Sequence, residues 1–169
     1  MILAILMELG KEAVQGFNRT QIYDKMIDQL LSREASLKAI QSHPMNAEIF
    51  KNIFTKLSYI LLQQGYAGRF PWDMVDSVLP GLNITWGDFV RLTHLGIVSE
   101  VVEGSPLPGN DLSFRHQSFQ EYLASLELKR HILVQGEINT RLLINYLEYN
   151  RWDEVLFFLI GSLEERDAR

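Results

Sequence analysis

The chain has 169 residues, 47% of them hydrophobic and 22% charged, which suits one sizeable core or two small subdomains of a globular protein. It contains no cysteine, which excludes a disulfide framework and thiolate metal sites and agrees with a reducing cytoplasm as its location. Sixteen basic against twenty-one acidic residues leave a net charge of −5, the wrong sign for a domain whose main partner is nucleic-acid backbone.

The opening MILAILM lacks a basic leading region and a small-residue cleavage site, and Glu8 and Lys11 follow it, so it reads as helix rather than signal peptide. No later window nears the roughly 20 apolar residues that span a bilayer, and no membrane partner is expected. An uncapped apolar start and a stop at LEERDAR, straight after an amphipathic helix, read as the edges of an excised piece.

Asn18, with Gln21 three residues on, opens a helix over residues 18–32 with Ile22, Tyr23, Met26, Ile27, Leu30 and Leu31 on one face. Pro44 marks an element boundary. The next helix, 46–64, carries Ile49, Phe50, Ile53, Phe54, Leu57, Ile60 and Leu61 and ends at Gly65. WDMVDSVL, between Pro71 and Pro80, predicts a short helix at most, because proline stops a helix beyond its end. Thr85 caps another, with Asp88 in the box position, Phe89, Leu92 and Leu95 as its apolar face and Gly96 as its stop. Ile97, Val98, Val101 and Val102 lean to strand, EGSPLPGND is a loop, and LSFRH is the return strand of a hairpin. Helix, helix, helix and hairpin predict a winged helix.

Residues 113–125, SFRHQSFQEYLAS, join a strand end, a histidine and a helix start. Leu112 and Phe114 alternate with Ser113 and Arg115 as a strand does. Ser118 stands three residues before Glu121, the spacing of a capping box, so a helix should start at Ser118 and continue on Phe119, Tyr122, Leu123 and Leu126. His116 then sits at the junction, facing a helix N-terminus with unpaired N–H groups and about half a positive charge, a natural anion site with phosphate as the obvious candidate. The plain alternative is a histidine that ends a strand and bonds a neighbouring carbonyl.

That helix should fade near Gln135 and Gly136. Ile138, Leu142, Leu143, Tyr146 and Leu147 mark another, and Asn150, with Asp153 three residues on, caps a last one striped by Val155, Leu156, Leu159, Ile160 and Leu163, with Trp152 as a buried aromatic anchor. On the helix after Thr85 only Arg91 and His94 are basic, Asp88 and Glu100 oppose them, and the wing loop carries Glu103 and Asp111 without a lysine, so DNA reading is the alternative that charge disfavours. There is no G-x-x-x-x-G-K-[ST] loop, HExxH pair or G-x-S-x-G turn, and no catalytic residue or metal set is assigned. His43, His94 and His131 read as surface or local packing, and Glu164 with Glu165 as a solvated helix end.

Three segments, in order, resemble the NACHT-type members of the STAND class of signalling NTPases. RTQIYDKMIDQLLSRE is similar to the helix after the nucleotide-binding core, through Arg19, Ile22, Tyr23, Ile27, Leu30 and Leu31. Phe114, His116, Ser118, Phe119, Gln120, Glu121, Tyr122, Ala124 and Ser125 match the end of the family's winged helix, and Trp152, Glu154, Val155, Phe158, Gly161 and Leu163 match the phrase that opens its next helical array. The resemblance implies a mainly α fold: a helical domain over 1–43, a winged-helix domain with a small β-hairpin over 44–134, and an α-hairpin starting a helical array over 135–169. It further implies that His116 contacts the phosphate of ADP in the switched-off state. The NTPase core, with its phosphate loop, would lie elsewhere in a longer parent chain, which exchanges ADP for ATP, oligomerises on activation and serves innate-immune or antiviral signalling. A non-enzymatic winged-helix adaptor for another protein is the competing class.

Overall fold

The computed structural model describes residues 17–35, 47–93, 96–100, 111–134 and 137–167, with side chains except at 33–35, 91, 100, 134, 137 and 164–167. Helix α1, Arg19–Ala35, opens on a reciprocal cap: Gln21 N–H donates to Asn18 Oδ1 and Asn18 N–H to Gln21 Oε1, each at 2.9 Å. It runs three residues past the expected end. Helix α2, Ala47–Gln63, buries Phe50, Ile53, Phe54, Leu57 and Leu61. It closes as the glycine predicts: Tyr66 N–H reaches Leu61 C=O at 2.9 Å, Gly65 N–H reaches Leu62 C=O at 3.0 Å, and Gly65 takes φ +91°.

Strand β1, Arg69–Pro71, has no counterpart in the expected hairpin. It pairs antiparallel with β3, Asp111–Phe114, which also pairs with β2, Val98–Glu100, giving a three-stranded sheet in the order β1-β3-β2. Pro71 is tolerated because β1 is an edge. Phe70 and Leu112 face each other across one pair, Val98 and Phe114 across the other, and all four are buried.

Helix α3, Trp72–Leu82, corrects the expectation that Pro80 ends it; it passes the proline and stops at Asn83, whose φ of +55° turns the chain. The N–H missing at Pro80 leaves the Asp76 carbonyl without its helical donor, and both residues lie on the exposed face, where solvent can reach that acceptor. Helix α4, Trp86–Thr93, carries the expected Thr85–Asp88 box, with Asp88 N–H donating to Thr85 Oγ1 at 3.2 Å and Thr85 N–H to Asp88 Oδ2 at 3.1 Å. Helices α2, α3 and α4 and the three strands follow one another in the order expected of a winged helix, with β1 added between α2 and α3; Leu95, Val101 and Val102 lie outside the described residues.

Helix α5, Gln117–Ile132, follows β3 and leads into a two-stranded ribbon, β4 (Leu133–Val134) with β5 (Glu137–Ile138), where the sequence suggests only a fading helix. Helix α6, Thr140–Leu147, is capped by Asn139, whose Oδ1 accepts from Leu142 N–H at 3.1 Å. The expectation that the Asn150 side chain caps the last helix is corrected. Asn150 begins a 3₁₀ turn, Asn150–Trp152, and its carbonyl accepts the Asp153 N–H where α7, Asp153–Asp167, begins.

The fold is therefore mainly α, and α5 is its axis. A large cluster joins Met26 and Ile27 of α1, Phe54 and Leu57 of α2, the sheet, Phe119 and Leu123 of α5 and Phe158 of α7, so residues of all three predicted spans share one core. A second cluster gathers Tyr59, Leu128, Ile132, Tyr146, Trp152, Val155 and Leu159. Trp152 is the buried anchor that its spacing predicts, with its ring 4.7 Å from Tyr146 and 5.7 Å from Tyr59. Polar bonds hold α1 against α7: Thr20 Oγ1 donates to Phe158 C=O at 3.0 Å and Asn18 Nδ2 to Gly161 C=O at 2.9 Å. The approach is close enough that a Cβ on Gly161 would stand 2.4 Å from Thr20 Oγ1.

Candidate functional site

The backbone at His116 is set by β3. Phe114 N–H donates to Gly68 C=O at 2.8 Å and, just past β3, Arg115 N–H to Ile97 C=O at 2.9 Å, so His116 is the first residue beyond these backbone bonds. It keeps extended dihedrals, φ −140° and ψ 130°, and its carbonyl accepts the Phe119 N–H at 2.9 Å. His116, not Ser118, is thus the N-terminal flanking residue of α5, which begins at Gln117. The expected Ser118–Glu121 box is not formed, because the backbone pairing through Arg115 fixes where the chain turns and leaves Ser118 inside the helix. Glu121 instead accepts from Gln117 Nε2 at 2.9 Å and from the Ser118 hydroxyl.

The imidazole of His116 is exposed, lies edge-on to Phe119 with ring centroids 5.4 Å apart, and makes no capping bond to the helix. First-turn N–H groups of an α-helix lack the acceptor four residues back that later ones have, although Phe119 N–H here turns to the His116 carbonyl, and over 16 residues the aligned peptide dipoles add partial positive charge at this end. Arg115, also exposed, precedes it, with its guanidinium carbon 3.8 Å from where a side chain on Gly96 would begin. These groups suit one face of a phosphate contact; a base or ribose pocket is not built from them.

Behind this surface the first turns of α5 bury polar groups. Gln120 is fully buried, and its amide accepts from Gly68 N–H at 2.5 Å and donates to Tyr66 C=O at 2.8 Å. Glu121 is buried too, and burial, with the nearby Glu154 carboxylate, pushes its carboxyl above the usual range against the pull of its hydrogen bonds and of Arg19. The next residue, Tyr122, donates its hydroxyl to Asp24, which together with Asp28 binds Lys51 Nζ at 2.6 and 2.7 Å and ties α1 to α2. Sequence reasoning matched Gln120 only as a motif letter and missed the Lys51 cluster, whose members lie on three separate elements.

The sequence matches no protein-family model and no curated protein. The NACHT resemblance therefore rests on its motif residues and their order.

Among the described residues the one other histidine, His131, does not join His116. His131, exposed, stacks on Tyr59 with centroids 4.9 Å apart and lies 3.5 Å from Glu127, which is local packing. His43, His94, Glu103 and the side chains of Arg91, Glu100, Glu164 and Glu165 fall outside the described residues. Asp111 pairs with Arg69 at 2.6 Å. Among the described residues no three His, Asp or Glu side chains converge as a metal site, and no helix is long and apolar enough to cross a membrane.

Proposed function

We propose that this chain is the winged-helix, regulatory portion of a nucleotide-dependent STAND switch of NACHT type, in which His116 contacts the phosphate of ADP bound to an NTPase core of the same protein. The observation that carries this reading is the exposed His116 imidazole at the start of α5, within a stretch that matches the family motif at Phe114, His116, Ser118, Phe119, Gln120, Glu121 and Tyr122. Bound ADP supplies the phosphate oxygens that carry the charge. An imidazole N–H of His116 donates to one of them, while the first-turn amides of α5 and the helix dipole favour the negative charge beside it. No residue of this chain is given a step in hydrolysis. Exchange of ADP for ATP in the core breaks the His116 contact, and the freed winged helix permits oligomerisation of the parent in cytoplasmic signalling, with innate-immune and antiviral defence as the implied setting.

A hydrogen bond to a charged group contributes about 1.5 to 3 kcal/mol, so His116→Ala should speed ADP release from the natural protein roughly ten- to a hundredfold. An unchanged release rate would remove the central support. One observation favours the adaptor class instead: Ile144, Leu147, Tyr149, Phe157 and Ile160 on and around α6 and α7 are all more than half exposed. A specific dimer of this chain, indifferent to nucleotide in analytical ultracentrifugation, would make that the better reading.

A further inference from the structure

We infer that Gln120 is the positioning residue for His116, a role that rests on the phosphate contact proposed above. The geometry centres on Gly68. Its carbonyl accepts from Phe114 N–H at 2.8 Å, two residues before His116, and its N–H donates to Gln120 Oε1 at 2.5 Å, four residues after it. A single loop residue is thus bonded to both flanks of the histidine, and the backbone from Phe114 through His116 to Gln120 is closed into a ring across Gly68. Gln120 Nε2 secures the same loop a second time, at Tyr66 C=O, 2.8 Å away.

The loop has little freedom to yield. Gly68 sits at φ +78°, a conformation that side chains rarely adopt, and a Cβ there would stand 3.7 Å from Gln117 Cβ, so the loop rests against the first residue of α5. Tyr66 is fixed from the other side by its bond to Leu61 at the end of α2. Gln120 itself has no exposed surface, so its amide bonds cannot be replaced by water without opening the helix start. The angle between the end of β3 and the axis of α5 is therefore set by one buried amide. That angle places the His116 imidazole relative to the first-turn N–H groups, and the two must converge for one phosphate oxygen group to meet both.

A double-mutant cycle in the natural protein separates positioning from general support, with release of fluorescent ADP as the readout. Gln120→Met keeps the side-chain length and removes both bonds; it should speed ADP release roughly five- to tenfold, the effect of one misplaced hydrogen bond, yet add nothing in a His116→Ala background. Equal acceleration in both backgrounds would show that Gln120 only stabilises the fold and would overturn the inference. So would no effect of Gln120→Met where His116→Ala loosens ADP, an outcome that leaves the proposed phosphate contact standing. If His116→Ala has no effect, that contact fails, and the inference with it. Should Gln120→Met not fold, Gln120→Asn retains a buried amide on a shorter side chain and is judged by the same cycle.

Discussion

The first turns of α5 bury an amide and a carboxylate, Gln120 and Glu121, whereas its last turns bury Leu128 and Ile132 against Tyr59, Tyr146 and Trp152. Each end packs one face into the protein, by different chemistry. Directional bonds at the N-terminal end fix an orientation: Gln120 can satisfy Tyr66 and Gly68 together only in one pose. Apolar and ring contacts dominate the C-terminal end, with polar bonds from side chains at its rim, Lys129 Nζ to Ser162 C=O at 2.8 Å and Arg130 to Asn52 Oδ1 at 2.5 Å, and Lys129, Arg130 and His131 meet the negative end of the helix dipole there. The difference lies in where the directional bonds sit: those of Gln120 are buried within the helix start, whereas those of Lys129 and Arg130 come from long side chains at the rim.

Substitutions that separate the two ends test this division. The largest effect is expected from Trp152→Ala, which empties the centre of the second cluster and should cost about 3 to 5 kcal/mol in urea denaturation, while the His116 imidazole NMR signals of the folded fraction stay unshifted; a shift would join the two ends into one unit. Next comes Asp24→Asn, which removes the charge that Lys51 and Tyr122 share and weakens the link between α1, α2 and α5, while Asp28 keeps its bond to Lys51. Although burial alone would raise Asp24, its bonds from Lys51 and Tyr122 hold its carboxyl below the usual range; burial alone would lower Lys51, and Asp24 and Asp28 hold it above its own. The Asp24 contribution is present above the ordinary carboxylate pKa and disappears as pH falls through the depressed one; the Lys51 contribution disappears as pH rises past the ordinary lysine range. Because both groups are partly exposed, Asp24→Asn should cost about 1 to 2 kcal/mol at neutral pH and blunt the loss of stability in acid. An unchanged acid limb would assign that loss to other carboxylates.

Gly161→Ala drives a methyl into Thr20 and should cost about 1 to 3 kcal/mol for overpacking, reduced by roughly 1 kcal/mol because alanine suits a helix better than glycine. Adding Thr20→Ala should recover part of the loss, and no recovery would place the strain elsewhere. The smallest effect is expected at Glu121, which holds its proton more tightly folded than unfolded. Its carboxyl therefore lowers stability once pH rises above the ordinary glutamate range. Glu121→Gln should match the native protein in acid and exceed it slightly at neutral pH, as thermal melts at both pH values would show; a less stable variant at neutral pH would mean that the carboxylate is needed as an ion.

What the sequence made legible was local. The Asn18–Gln21 and Thr85–Asp88 caps, the glycine turn after α2 and the Trp152 anchor all follow from residues within a few positions of one another. Ser118 and Glu121 have the same spacing as those caps and still do not form one, since the pairing of β3 carries the chain extended as far as His116. Strand β1 is three residues long and ends in proline, too short for alternation to show. The bonds that shape the candidate site, from Gln120 to Gly68 and Tyr66 and from Tyr122 to Asp24, join residues 52, 54 and 98 positions apart, and no spacing rule reaches that far. His116 was visible as a junction; what holds it there was not.

The central claim is that His116 meets a bound ADP phosphate, and it is tested most directly by the nucleotide that the natural protein retains. Protein purified as wild type and as His116→Ala would be denatured and the released nucleotide identified by chromatography. Stoichiometric ADP in the wild type and little in the variant is the predicted result; equal ADP in both, or no nucleotide in either, would contradict it.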